Sequence, residues 1–279
     1  MVKINKIDLH THSNFSDGNF DPKILAEYWD KKRLEYAALC DHDTADGVDA
    51  IRRISSKLNA EFISGIEMGC RGRFHILGLG IDSKERQLKK WTSSFKKINN
   101  VRAQAYVKML EENNFQMNHS ILNKKKGIIT LFEIYLAATN NDTLFHDFSR
   151  KWLYKGSPGY IRIERMTFRE AISLIHGSGG IAVLAHPGHT VRDGAFALEN
   201  TIREMKEAGL DAIEVFSTKH DKDQTGAIYN LAKKYKLAMS AGSDFHGYGK
   251  QKIGGFKTYG LKFDQENIIE LIRKQNNRY

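Results

Sequence analysis

Short apolar runs rich in β-branched residues alternate along this chain with stretches whose apolar positions recur every three or four residues. The runs "KIDLHTH", "YAALCDH", "EFISGIEM", "FHILGLG", "GIAVLAH", "AIEVF" and "LAMSAGSD" have the length and composition of buried strands. Helical periods between them give βα units, which build a sheet wrapped by helices rather than a sandwich or a bundle. Two helix starts are marked by their chemistry. In "DPKILAEYWDKK" Asp21 stands as N-cap before Pro22 at the first helical position. In "TFREAISLIHGSGG" Thr167 and Glu170 have the spacing of a capping box ahead of a glycine stop.

The alternation breaks between about residue 84 and residue 166, where "KERQLKKWTSSFKKINNVRAQAYVKMLEENN" and "GIITLFEIYLAAT" read as helices with no strand between them. Helices in series cannot extend a parallel sheet. The expected organisation is therefore an α/β body in two parts, residues 1–83 and 167–279, with a mostly helical insertion over 84–166 packed on one end of it.

Composition narrows the class. Hydrophobic residues make up 41% and charged residues 27%, as in a folded chain, and only three prolines occur, so no Pro-rich linker divides it. The opening "MVKINKIDLH" has no signal-peptide character and no run is long enough to span a bilayer, so a cytoplasmic protein without a membrane partner is expected. Cys40 and Cys70 lie in or beside apolar runs and share no short spacing, which predicts buried reduced thiols. A formal charge of +10 favours anionic partners. The basic residues form no stripe interleaved with aromatics, so a small phosphorylated ligand is expected and stable binding of duplex nucleic acid is not.

Chemistry collects at the ends of the predicted strands. His10 and His12 point to one face of the first strand, and Asp17 follows in a loop closed by Gly18. Further runs supply His42 ("ALCDHD"), Glu67 ("ISGIEM"), His186 ("VLAHPG"), and Asp244 with His246 ("MSAGSDFHG"). In parallel sheets and barrels the C-terminal strand ends converge on one face, so these residues share a pocket. Burying them without partners would cost several kcal/mol each, and metal ions supply the partners. An imidazole and carboxylate set without cysteine suits manganese, zinc or iron at a hydrolytic site, and it is too large for one ion. Asp41, Asp43 and Glu214 are placed to orient ligands by hydrogen bonding.

The order H-x-H-x4-D, D-H-D-T, G-x-E, a lone His, A-H-P-G and G-S-D-x-H resembles the PHP (polymerase and histidinol phosphatase) family of metal-dependent phosphoesterases over residues 4–82 and 167–279. Its stand-alone members that act on nucleoside 3',5'-bisphosphates and short oligonucleotides are the most similar in pattern. The resemblance implies a distorted seven-stranded β/α barrel and two to three divalent ions. It implies that His10, His12, Glu67 and Asp244 hold the first, that Glu67 bridges to a second held by His75 and His186, and that Asp17, His42 and His246 hold the third. His75 is assigned by resemblance alone, because it begins its run rather than ending it.

No phosphoenzyme motif, Walker loop or nucleophile elbow occurs, so the expected reaction is attack of a metal-held hydroxide on a small phosphate ester. Asp244 and His189 are the expected catalytic residues, His189 as a candidate acid for the leaving group. Arg71, Arg73, His189 and Arg192 are the expected phosphate contacts, with Lys124 to Lys126 as a further possibility. Relatives carry an arginine where this chain has His189, and an R-P-H motif where it has "KKKGIITLFEIYLA". Broad phosphomonoesterase activity with modest preference for a 3'-phosphorylated nucleotide is therefore expected. Histidinol phosphatase and a nucleic-acid-binding or polymerase-associated module are the alternatives.

Overall fold

The protein is described here by a computed structural model covering residues 6–123, 127–139, 143–157, 160–190 and 195–277, with 189–190 and 195–197 described by backbone alone. The seven predicted runs all form strands: β1 (Ile7–Thr11), β2 (Tyr36–Leu39), β3 (Glu61–Gly69), β4 (His75–Leu79), β5 (Ile181–Leu184), β6 (Ala212–Ser217) and β7 (Ala238–Gly242). They lie in one sheet in chain order. The sheet curls until its edges meet, with Thr11 bridging Phe245 and the amide of His12 donating to the carbonyl of Phe245 at 2.9 Å. Closure depends on Gly242, where a Cβ would stand 2.3 Å from Cβ of His10.

The sheet is not wholly parallel. β4 runs antiparallel to both β3 and β5, while the other described pairings are parallel. Its first residue therefore lies at the barrel end where its neighbours finish: His75 pairs with Gly69 at the end of β3.

The helices around the barrel are α1 (Pro22–Lys31), α2 (Val48–Arg52), α7 (Phe168–Gly177), α8 (Pro187–Thr190), α9 (Ala195–Glu207), α10 (Lys222–Lys234) and α11 (Gln265–Asn276). Asp21 caps α1 by accepting from the amide of Lys23, and the Thr167–Glu170 capping box opens α7 as its spacing predicts. Strand residues such as Ile66, Leu77, Val183 and Ile213 are fully buried against Ile175, Ile202, Ile228 and Ile268, making one continuous core. Cys40 and Cys70 are buried free thiols.

Between β4 and α7 lie α3 (Arg86–Glu112), α4 (His119–Asn123), α5 (Leu131–Ala138) and α6 (Phe145–Trp152), without a strand among the described residues. At 27 residues α3 is about 40 Å long. Ala103, Tyr106 and Leu110 on α3 form a separate apolar cluster with Ile134, Tyr135, Phe148 and Leu153. The segment entering α5 crosses the loop after β1. The amide of Ile128 donates to the carbonyl of Phe15 at 3.0 Å, and a Thr130–Glu133 capping box starts α5 just beyond.

Candidate metal centre

The nine residues that pattern and resemblance select come together at one end of the barrel. Glu67, fully buried at the end of β3, sits in the middle. Its Oε1 lies 2.8 Å from Nδ1 of His75 and 3.0 Å from Nε2 of His186. Its Oε2 lies 3.0 Å from Nδ1 of His42 and 3.3 Å from Nε2 of both His10 and His12. The carboxylate thus divides its two oxygens between two groups of imidazoles.

Asp244 presents Oδ1 to Nε2 of His12 at 3.1 Å and of His10 at 3.5 Å. Asp17 completes a third group, with oxygens 3.2 Å from His246 and 3.6 Å from His42, and 3.9 Å from the remaining nitrogen of His12. The rings of His12 and His246 stack at 4.1 Å. His10, His12, Glu67 and Asp244 converge within metal-holding distance, as do His12, Asp17, His42 and His246, and His42, Glu67 and His75.

Hydrogen bonds from the scaffold hold these groups in place. Nδ1 of His10 stands 2.8 Å from Glu214 on β6, which turns Nε2 toward the cluster. Asp41 accepts from the amide and hydroxyl of Ser13 and the hydroxyl of Ser16, fixing the loop that carries Asp17. Asp8 accepts from the amide and hydroxyl of Ser243, fixing the turn that carries Asp244. Burial pushes both carboxyls up to about 6 against these hydrogen bonds. Asp43 accepts from the amide of Gly69 and from Arg165 at 2.7 Å, so it and Asp41 bond backbone amides at the strand ends rather than the ring between them. Asp43, His186 and Asp244 adopt positive φ, a costly conformation for such residues that recurs here at strand exits beside the cluster.

The electrostatics are those of a cluster short of cations. Burial favours neutral carboxyls, yet the surrounding imidazoles hold Asp17, Glu67 and Asp244 well below the usual carboxylate range. Burial, with His246 and His42 nearby, lowers His12 to about 3. His246 is raised to about 9, because Asp17 and Asp244 outweigh its burial. Nε2 of His10, Nδ1 of His12, Oδ1 of Asp17 and Oε2 of Glu67 are buried with ionic neighbours but no hydrogen bond among the described residues. Such orphaned atoms are rare in folded proteins, and divalent ions would satisfy them. The residues present fit a metal centre.

Comparison with known proteins gives the family. The PHP domain model matches residues 8–164. The chain belongs to the PHP domain family of metal-dependent phosphoesterases. Among PHP relatives, it is 30% identical over 263 residues to a 3',5'-nucleoside bisphosphate phosphatase of Chromobacterium violaceum, covering 89% of this chain and 90% of that one. It is 30% identical over 250 residues to a 5'-3' exoribonuclease of Escherichia coli, covering 86% and 84%. A solved structure described as an amidohydrolase from Chromobacterium violaceum with bound sulfate and no metal superposes with a TM-score of 0.84 at 27% identity, covering 97% and 96%. As a PHP phosphoesterase, the chain is a hydrolase of phosphate esters. No helix among the described residues is long and apolar enough to cross a membrane.

The expected phosphate contacts fare differently. Arg71 turns away to Glu164 at 3.2 Å and to the carbonyl of Arg165, with its side chain 61% exposed, and Arg73 is also exposed. Arg192 and Lys124 to Lys126 lie outside the described residues, and the side chain of His189 is likewise not described. His220 is buried, bonding the carbonyl of Val215 and the amide of Gly188. Two cations absent from the expected set lie close by. Arg165 reaches Asp43, and Lys219 in the loop after β6 lies 3.2 Å from Oδ2 of Asp244. The strand-end rule points to Lys219, because β6 is the one strand with none of the nine residues at its site-facing end, β4 giving His75 from its start.

Proposed function

We propose that this chain hydrolyses small phosphate esters with two to three divalent ions, manganese, zinc or iron, held by the nine residues at the barrel end. His10, His12, Glu67 and Asp244 would hold one ion, Glu67, His75 and His186 a second, and Asp17, His42 and His246 a third. The observation that carries this reading is Glu67, whose oxygens face separate histidine groups as a bridging carboxylate requires. The ions would supply Lewis acidity and lower the pKa of a coordinated water toward neutrality. The chain's own residues do the positioning. Glu214 fixes the tautomer of His10, Asp41 and Asp8 hold the loops bearing Asp17 and Asp244, and the folded barrel buries His10, His12, Glu67, His186 and Asp244 while leaving the other four partly open to solvent.

The substrate class follows from what the relatives are named for, nucleoside bisphosphates and RNA, together with the helical segment over the site. Phe132 on α5 meets Tyr248, two residues beyond His246, edge to face at 5.1 Å. In this reading the aromatic pair, tied to the centre through the short link from His246 to Tyr248, offers a planar leaving group such as a nucleobase an apolar wall. Residues 84–166 act in this reading as a subdomain that selects the leaving group. Elemental analysis of the reconstituted protein, with turnover of a panel of phosphomonoesters, bisphosphonucleotides and short oligonucleotides, tests it. Two or three ions per chain and chelator-sensitive release of phosphate are expected. A single ion, or no turnover, would overturn it.

A further inference from the structure

Lys219 has no part in the metal centre described above, yet its ammonium enters it. Asp244 uses Oδ1 toward His10 and His12, leaving Oδ2 facing the opposite way, and Nζ of Lys219 takes that oxygen at 3.2 Å. Among the described residues it is the one lysine or arginine paired with Asp17, Glu67 or Asp244, whose other ionic partners are all histidines.

The backbone beneath Lys219 is fixed. Thr218 donates from its hydroxyl to the carbonyl of Ser243 at 2.6 Å, beside Asp244. His220 bonds the carbonyl of Val215 at 3.0 Å and the amide of Gly188 at 3.1 Å. Asp221 caps α10 immediately afterwards. The Lys219 side chain is 32% exposed, so the protein does not wall its ammonium off from solvent beside Asp244.

Charge decides what it turns toward. Asp17, Glu67, Glu214 and Asp244 are the carboxylates facing the cluster, and three divalent ions would more than neutralise them. With such a surplus in place, a permanent cation held beside Asp244 adds to the attraction for an incoming anion. We propose that Lys219 is a substrate-binding residue that donates to an oxygen of the phosphate group held at the metal centre. The proposal rests on the phosphoesterase reading. It assigns to Lys219 the role that sequence position alone gave to Arg71 and Arg73.

The test compares wild type with Lys219→Met and Lys219→Arg, each reconstituted with manganese. Metal content, binding of inorganic phosphate by calorimetry, and kcat and KM for the phosphomonoesters turned over by wild type are measured. Lys219→Met is expected to keep its full metal complement while phosphate binding weakens by about tenfold or more, the loss typical of a charge-assisted hydrogen bond. KM should rise, and Lys219→Arg should recover most of the affinity. Loss of metal in Lys219→Met would overturn the proposal and make the lysine a support for Asp244. Unchanged phosphate binding in an active Lys219→Met enzyme would overturn it while leaving the phosphoesterase reading intact. A wild-type protein that cleaves no phosphate ester would overturn both.

Discussion

Glu214 and His10 meet 2.8 Å apart with both side chains wholly buried, one on β6 and the other on β1. This contact sets the direction of a ring that has no freedom to find another partner. Removing it with Glu214→Ala should lower metal affinity about 10- to 100-fold. Glu214→Gln, which keeps an acceptor oxygen, should lose less. Competition against a metal-binding dye measures both, and equal affinity in Glu214→Ala and wild type would contradict the orienting role.

Glu67→Ala should remove more than one ion per chain and abolish turnover, because both of its oxygens face ligand groups. His75→Ala touches one of those groups and should remove one ion. Inductively coupled plasma analysis of the reconstituted variants separates the two outcomes, and full occupancy in Glu67→Ala would count against a bridging carboxylate.

In the metal-free protein, the carboxylates of Asp17 and Asp244 outweigh burial and raise His246 to about 9. The sign follows from linkage. The protonated ring stabilises the metal-free fold fully below about 6.5, and that contribution is lost as pH rises through about 9. Because a metal needs the neutral ring, binding at pH 7.5 should release protons and tighten as pH rises. Calorimetry in buffers of differing ionisation enthalpy reads the proton count, and a buffer-independent enthalpy would refute the shift.

Phe132→Ala should change KM differently for nucleoside and sugar phosphates while leaving metal content alone, since the ring contacts Tyr248 rather than a ligand. Exchanging residues 84–166 for the corresponding segment of a relative should move specificity further. The native segment predicts broad phosphomonoesterase activity. A preference of several hundredfold for one bisphosphonucleotide over simple monoesters would argue against that breadth.

The strands and the α7 cap were legible because they are local: a run of branched residues, or Thr167 three places before Glu170, carries its own physical signal. Strand direction carries no such signal. His75 looked misplaced at the start of its run until β4 proved antiparallel, which brings a strand's beginning to the end where the others finish. Arg71 and Arg73 show how little sequence closeness says about partners. Closeness to Glu67 in sequence suggested them as phosphate contacts; both are exposed in the turn after β3, where Arg71 pairs with Glu164. Lys219 and Arg165 depend on contacts across 25 and 122 residues, which no local pattern encodes.

The meeting of β1 and β7, with Gly242 against His10, sets an order on how this protein matures. Ligands from the first seventeen residues leave the ribosome long before Asp244 and His246, so a nascent chain carries imidazoles with no carboxylate from the last strand to join them. The residue groups proposed for the first and third ions are complete only when the final strand closes the ring. Metal loading of these two groups would therefore be a post-synthetic event, and a chain stopped before residue 242 would lack the closed barrel and keep only the Glu67, His75 and His186 group whole.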